Sequence, residues 1–94
     1  MKVLVVDDSP TMRRIVVQMV KRLGYGEVVE AGDGQEALGK LQAETDIGLV
    51  LSDWNMPIMN GLELTQAIRA DEQFAKLPIL MVTTRNMRDC SLTI

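Results

Sequence analysis

Four short apolar runs divide the chain, and segments with apolar residues at every third or fourth position separate them. The runs lie at residues 2–6, 27–31, 47–52 and 79–82, the last introduced by Pro78. Short apolar runs of this length are typical of strands buried in a parallel sheet. The second run contains two glutamates and is less apolar than the first, so we place it at an edge of the sheet.

The segment after the first run has the pattern of an amphipathic helix. Ser9 and Pro10 suit the N-cap and the first helical position, and Gly24 and Gly26 end the helix. The apolar residues that its spacing predicts on one buried face are Met12, Ile15, Val16, Met19, Val20 and Leu23.

Two further helices are predicted from their N-terminal capping sequences. Residues 33–36 resemble a capping box and open a helix to about Leu41, and residues 60–63 cap a helix through about Ala70. Strands that alternate with helices in this way indicate an α/β fold, with a parallel sheet and helices on both faces. We expect residues 1–94 to form a single domain, in which residues 85–94 could begin a fourth helix.

Composition narrows the classes of function. The chain has 94 residues, a formal net charge of −3 and no histidine, so histidine-based catalysis and histidine metal sites are excluded and nucleic-acid binding is disfavoured. The basic residues Arg13, Arg14, Lys21 and Arg22 fit the solvated face of the first helix. A lone cysteine, no signal peptide and no run long enough to cross a membrane favour a cytoplasmic protein.

Acidic residues follow two of the predicted strands. Asp7 and Asp8 end the first strand, Asp53 ends the third, and Thr83 ends the fourth. The carboxyl ends of neighbouring parallel strands meet at one rim, where open α/β sheets form their sites. Any one of these aspartates alone is best explained as a loop or helix cap. Three together would repel one another unless a divalent cation neutralised them, so we predict a Mg²⁺ pocket that also uses a backbone carbonyl just after Asp53.

Three blocks of sequence that contain these residues, 5–14, 53–64 and 77–83, resemble the receiver domain of bacterial two-component response regulators. Among receivers they are most similar to the single-domain chemotaxis regulators. The resemblance implies a flavodoxin-like, doubly wound parallel sheet with strand order 2-1-3-4-5. In this chain we expect the order 2-1-3-4, without the family's fifth strand and fifth helix, as in a receiver truncated at its C-terminus.

The resemblance also implies roles for individual residues. Asp53 would be the phosphoacceptor, taking a phosphoryl group from a chemotaxis-type histidine kinase or a small donor such as acetyl phosphate. Asp8 and Asp53 would hold Mg²⁺ directly, Asp7 would act through water, and the backbone carbonyl of Asn55 would be a further ligand. Thr83 would donate a hydrogen bond to the phosphoryl group and move with it.

The sequence departs from the family in its last part. The family's fifth strand ends in a lysine that pairs with the phosphoryl group, but no lysine follows Lys76 here. We therefore expect impaired phosphorylation. The surface that would bind a flagellar motor switch protein is also missing. An uncovered, apolar fourth strand would favour a homodimer or a domain-swapped oligomer.

Two other functions remain open at this point. Aspartate-nucleophile phosphohydrolases also place an aspartate after an apolar strand, but they usually carry a second carboxylate two residues on, where this chain has Asn55. Such an enzyme is therefore disfavoured, and we expect at most self-dephosphorylation. The absent lysine gives weight to the other alternative, a structural or interaction fragment that keeps the receiver fold without phosphotransfer.

Overall fold

The computed structural model describes residues 2–44, 46–53, 59–82 and 92–93. Its elements in chain order are β1 (Lys2–Val6), α1 (Pro10–Arg22), β2 (Glu27–Ala31), α2 (Gly34–Ala43), β3 (Ile47–Asp53), α3 (Gly61–Ala70), a 3₁₀ turn (Glu72–Phe74), β4 (Ile79–Val82) and β5 (Leu92–Thr93). The predicted strands and helices agree with these bounds to within two residues. The 3₁₀ turn was not predicted.

The strands form one sheet in the order β2-β1-β3-β4-β5. Strands β1 to β4 are parallel, so the predicted α/β fold and the order 2-1-3-4 are confirmed, with β2 at an edge. In the register of the sheet, Val6 is level with Ser52, and Asp53 is level with Val82. Asp7, one residue beyond Val6, therefore reaches the same rim as Asp53.

The outer edge of β4 differs from the prediction. We expected this edge to be uncovered, but Leu92 and Thr93 pair with Val82 and Met81 as a short antiparallel strand. Unpaired backbone groups at a sheet edge are costly to leave open, and this pairing satisfies some of them. It is not the parallel fifth strand of the family pattern. The predicted start of a fourth helix at residues 85–91 lies outside the described residues.

Apolar side chains pack on both faces of the sheet, as the alternation of side chains along each strand requires. On one face, Leu4, Val6 and Val50 pack with residues of α2 and α3. On the other face, Val3 and Val5 pack against α1. The sheet is thus held between two helical layers, and its rim at the carboxyl ends of the strands is kept in a fixed position.

The buried face of α1 is rotated from the one that its spacing predicted. Val16, Val17 and Val20 are buried, whereas Met19 is 54% exposed and Leu23 is 77% exposed. The three valines form the stripe that meets the sheet. Met19 lies on the flank of that stripe, and Leu23 is the C-cap residue beyond the last helical turn. The prediction for these two residues was therefore wrong.

Helix capping explains where the other helices begin. Asn60 and Glu63 form the full capping box at the start of α3. At α2, Asp33 accepts from the Glu36 N–H, but Glu36 Oε1 accepts from the Gly32 N–H at 2.8 Å, so the reciprocal bond is made one residue earlier than in a capping box. Both arrangements satisfy backbone donors that a helix start leaves without partners.

Candidate functional site

Three carboxylates meet at the rim of the sheet. One carboxylate oxygen from each of Asp7, Asp8 and Asp53 can be chosen so that all three lie within 4.8 Å of one another. Asp7 and Asp8 follow β1 directly, and Asp53 is the last residue of the neighbouring strand β3. The structure therefore brings together the three aspartates that the sequence placed at one rim.

Asp7 is held in the acidic cluster by contacts with the backbone. It is only 2% exposed, and its Oδ1 accepts a hydrogen bond from the Ser9 N–H at 2.9 Å. Its own N–H donates to the Ala31 carbonyl oxygen at 3.1 Å, which extends the β1–β2 ladder by one residue. Backbone contacts on both sides thus fix the side chain and the main chain of Asp7.

The environment of Asp7 disfavours its charged form. Burial raises the pKa of Asp7 above its ordinary value of 3.8, the Ser9 hydrogen bond lowers the pKa, and the carboxylates of Asp53 and Asp8 raise it again. Arg13 has a smaller lowering effect on this pKa. The net direction is upward, as expected for a buried carboxyl beside like charges.

Arg13 contacts the acidic cluster, although the sequence predicted it on the solvated face of α1. Its Nη1 donates to the Asp7 carbonyl oxygen at 2.8 Å, and its Nε donates to Glu30 Oε1 on β2 at 3.0 Å. The Arg13 side chain is 21% exposed. The prediction for Arg13 was wrong, because the helix starts close enough to the rim for the guanidinium to reach back over it. Arg14, the next residue, is exposed as predicted.

Asp53 is 6% exposed and is the last residue of β3. The fully buried Ser52 donates from its hydroxyl to the Asp53 carbonyl oxygen at 3.0 Å. The sequence did not predict that Ser52 or Arg13 would contact the acidic cluster. A polar residue inside an apolar strand is a weak signal for such a contact, and a basic residue on a helix gives none.

Comparison with known proteins identifies the family. Residues 3–93 match the family described as "Response regulator receiver domain". This chain belongs to that family. Curated relatives of the receiver domain include chemotaxis protein CheY1 of Helicobacter pylori, which is 55% identical over 84 residues, 89% of this chain and 68% of the relative. The CheY homolog of Campylobacter jejuni is 51% identical over 84 residues, again 89% of this chain and 65% of the relative.

Solved structures are similar to this receiver domain in fold. The chemotaxis protein CheY4 of Vibrio cholerae superposes with a TM-score of 0.80 at 45% identity, over 90% of this chain and 69% of that one. A receiver protein from Pseudomonas putida gives a TM-score of 0.80 at 36% identity, over 87% of this chain and 66% of that one. The chain thus spans about two thirds of the length of the relatives it matches.

The donor set of the receiver's acidic cluster fits a hard divalent cation. All three side chains offer carboxylate oxygens, the ligand type that Mg²⁺ prefers, and their separation of at most 4.8 Å suits ligands that share one ion. Asp8 is exposed, so water can complete the coordination. Two predicted members of the site, Asn55 and Thr83, lie outside the described residues. Among the described residues, no helix is long and apolar enough to cross a membrane.

Proposed function

We propose that this chain is a Mg²⁺-dependent phosphoacceptor of chemotaxis-type two-component signalling, phosphorylated at Asp53. The observation that carries the proposal is the meeting of the Asp7, Asp8 and Asp53 carboxylates within 4.8 Å, in a chain of the receiver family. Asp53 is the last residue of β3, the central strand of the sheet, and is 6% exposed.

The proposed reaction is transfer of a phosphoryl group to Asp53. A carboxylate oxygen of Asp53 attacks the phosphorus of the donor, a new O–P bond forms, and the bond from phosphorus to the leaving group breaks. The electron pair of the broken bond departs with the leaving group, which is acetate when the donor is acetyl phosphate. Such a transfer depends mainly on positioning and on stabilisation of charge.

Asp8 and Asp53 would hold the metal directly, and Asp7 would act through water, with the Asn55 backbone carbonyl as a further ligand. When bound, Mg²⁺ would offset the charge on the phosphoryl oxygens. Asp7 contributes by its fixed position, since the Ser9 N–H and the Ala31 carbonyl hold it in place. The raised pKa of Asp7 is consistent with a carboxyl that needs a cation nearby when it is ionised.

Two further features of the proposal concern the phosphorylated state. Thr83 would donate a hydrogen bond to the phosphoryl group and shift toward it. Lys76 is the last lysine of these 94 residues and lies before β4. We propose that these 94 residues, assayed by themselves, are phosphorylated more slowly than a receiver whose fifth strand supplies a lysine, because that charge would stabilise the product.

The proposed partner is a chemotaxis-type histidine kinase. The proposed location of this chain is the cytoplasm. A flagellar motor switch protein is a further candidate partner. We also propose that the chain self-associates through the part of the β4 edge that β5 does not cover. The described β5 pairs with Met81 and Val82 and so covers part of the edge on which that prediction depended.

Phosphorylation is tested by incubating the chain with acetyl phosphate and Mg²⁺ and measuring its intact mass. We expect a gain equal to one phosphoryl group, sensitive to hydroxylamine because an acyl phosphate is formed. The gain should be absent with EDTA and absent in Asp53→Asn, which keeps the size of the side chain and removes the nucleophilic carboxylate. No mass gain in the folded wild-type chain would contradict the proposal and favour the structural fragment.

The same preparation distinguishes a receiver from a phosphohydrolase. With p-nitrophenyl phosphate, a receiver releases nitrophenol no faster than its own acyl phosphate is hydrolysed, whereas an enzyme turns over faster than that. The proposal predicts turnover no faster than self-dephosphorylation, because the position two residues after Asp53 is Asn55 and supplies no carboxylate for acid–base catalysis. Turnover that is lost in Asp53→Asn and exceeds the measured rate of acyl-phosphate hydrolysis would overturn it.

A further inference from the structure

We propose that Arg13 is a positioning residue that fixes the Asp7–Asp8 peptide and thereby sets the affinity of the acidic cluster for Mg²⁺. The inference rests on the proposed function in one respect, which is that the cluster binds Mg²⁺. It concerns a residue that neither the aspartate pattern nor the family resemblance singled out.

Arg13 connects three elements at the rim. Its Cα lies in the first turns of α1, and its Nη1 donates to the Asp7 carbonyl oxygen at 2.8 Å. Its Nε donates to Glu30 Oε1 on β2 at 3.0 Å. The guanidinium also passes close to Gly32, where a Cβ would lie 3.6 Å from Nη1. The planar group is thus oriented from two sides, as a bidentate guanidinium allows.

The carbonyl that Arg13 holds belongs to the peptide that begins Asp8. Asp7 has other anchors, since Ser9 N–H binds its carboxylate and its own N–H binds Ala31. The Asp8 side chain is exposed and makes no hydrogen bond within the part of the chain that the structure describes. The direction of the Asp8 carboxylate therefore depends on its backbone, and the Arg13 bond fixes the plane of the preceding peptide.

A purely electrostatic role for Arg13 predicts the opposite outcome. A cation near the cluster disfavours binding of another cation, so removing it should tighten Mg²⁺ binding. Glu30 already offsets the Arg13 charge, and Arg13→Met alone would leave an additional anion near the site. Positioning predicts weaker binding in the same variant. The sign of the change in affinity therefore separates the two roles.

The first measurement is Mg²⁺ affinity from the fluorescence of Trp54, which is the single tryptophan and adjoins Asp53 in the sequence. Supporting contacts around metal ligands typically change affinity by about 10- to 100-fold. We expect Arg13→Met to weaken Mg²⁺ binding by about tenfold. The charge-balanced pair Arg13→Met with Glu30→Gln should weaken it similarly. Arg14→Met, with the same loss of charge at an exposed position on the same helix, should leave the affinity unchanged.

The second measurement needs no metal. The ¹⁵N relaxation order parameter of the Asp8 amide, measured in EDTA, reports the peptide that Arg13 holds. We expect it to fall from about 0.85 toward 0.6 in Arg13→Met and to stay high in Arg14→Met. Arg13→Lys keeps the charge but places its donors on a single nitrogen, so it should restore order and affinity only in part. This variant also serves if Arg13→Met fails to fold.

Unchanged or tighter Mg²⁺ binding in a folded Arg13→Met variant, or an unchanged Asp8 order parameter, would overturn the proposal. A wild-type chain that binds no Mg²⁺ gives a different result. It would contradict the proposed function and the affinity part of this inference, while a selective loss of order at Asp8 in Arg13→Met would still support the role of Arg13 in fixing the Asp7–Asp8 peptide. The two failures are therefore distinguishable.

Discussion

Replacing Asp7 with asparagine should stabilise the metal-free chain. Asp7 is 2% exposed, and its carboxylate lies within 4.8 Å of those of Asp8 and Asp53. Asparagine has nearly the same shape, and its Oδ1 can still accept the hydrogen bond from the Ser9 N–H. The substitution therefore removes a buried charge and two repulsive pairs while it keeps the local hydrogen bonding.

The size of the gain follows from Coulomb's law. At 4.8 Å, two unit charges repel by about 3.5 kcal/mol at an effective dielectric of about 20, and by about 1 kcal/mol at the dielectric of water. The first value applies better to the buried Asp53 and the second to the exposed Asp8. Salt screening and relaxation of the metal-free site reduce the sum of these two repulsion energies. We therefore expect the free energy of unfolding to rise by about 1–3 kcal/mol in Asp7→Asn.

Urea denaturation in EDTA at neutral pH measures this gain. With an m-value of about 2 kcal/mol/M, the midpoint should rise by about 0.5–1.5 M. Asp33→Asn is the matched control, since it removes one negative charge away from the cluster and asparagine caps a helix as well as aspartate does. Added Mg²⁺ should stabilise the wild type more than Asp7→Asn, because the variant keeps the two proposed direct ligands but loses a carboxylate that acts through water and so binds the ion more weakly.

The pH dependence checks the cause of this effect. A raised pKa means that folded Asp7 binds a proton more tightly than the unfolded chain does. Its contribution to stability is therefore present below about pH 3.8 and is lost as the pH rises through the folded pKa. The difference between Asp7→Asn and the wild type should grow over that interval. A variant that is no more stable than the wild type in EDTA at neutral pH would refute the reasoning.

Two other substitutions, each with a control, test the packing of α2 and α3. Ile68→Ala leaves a cavity at a fully buried position of α3 and should lower the free energy of unfolding, measured with urea, by about 2–5 kcal/mol. Leu62→Ala, at an exposed position of the same helix, should change it by less than about 0.5 kcal/mol. Equal losses would contradict the assignment of Ile68 to the core. Gly34→Ala would place a Cβ 2.8 Å from Met59 Cβ and should destabilise the protein by about 1–3 kcal/mol. Gly39→Ala has no atom within 4 Å of its new Cβ and should stabilise α2 by up to about 1 kcal/mol. A Gly34→Ala variant that is more stable than the wild type would show that Met59 moves away freely.

The fold was predictable because local patterns and the global arrangement agree. Apolar runs, N-caps and glycines define each strand and helix up to residue 82, and the resemblance to the receiver family supplied the strand order. The errors came where a pattern has more than one solution. The helical spacing of α1 contains Val17 as well as Met19, and only the position of the sheet decides which of them is buried. Likewise, a two-residue strand such as β5 is too short to be predicted from an alternating apolar pattern.

The three aspartates of the acidic cluster could be predicted from the sequence, whereas Arg13, which contacts them, could not. Asp7, Asp8 and Asp53 are marked by their places at the ends of strands, because parallel strands must bring those ends to one rim. No position in the sequence pattern identifies Arg13 in this way. Its role depends on the direction of a long side chain that could equally have pointed into solvent. A sequence can thus show which groups a site contains before it shows what orients them. The proposed affinity of this rim for Mg²⁺ would depend on both, and the Arg13 variants measure the part that only the structure supplies.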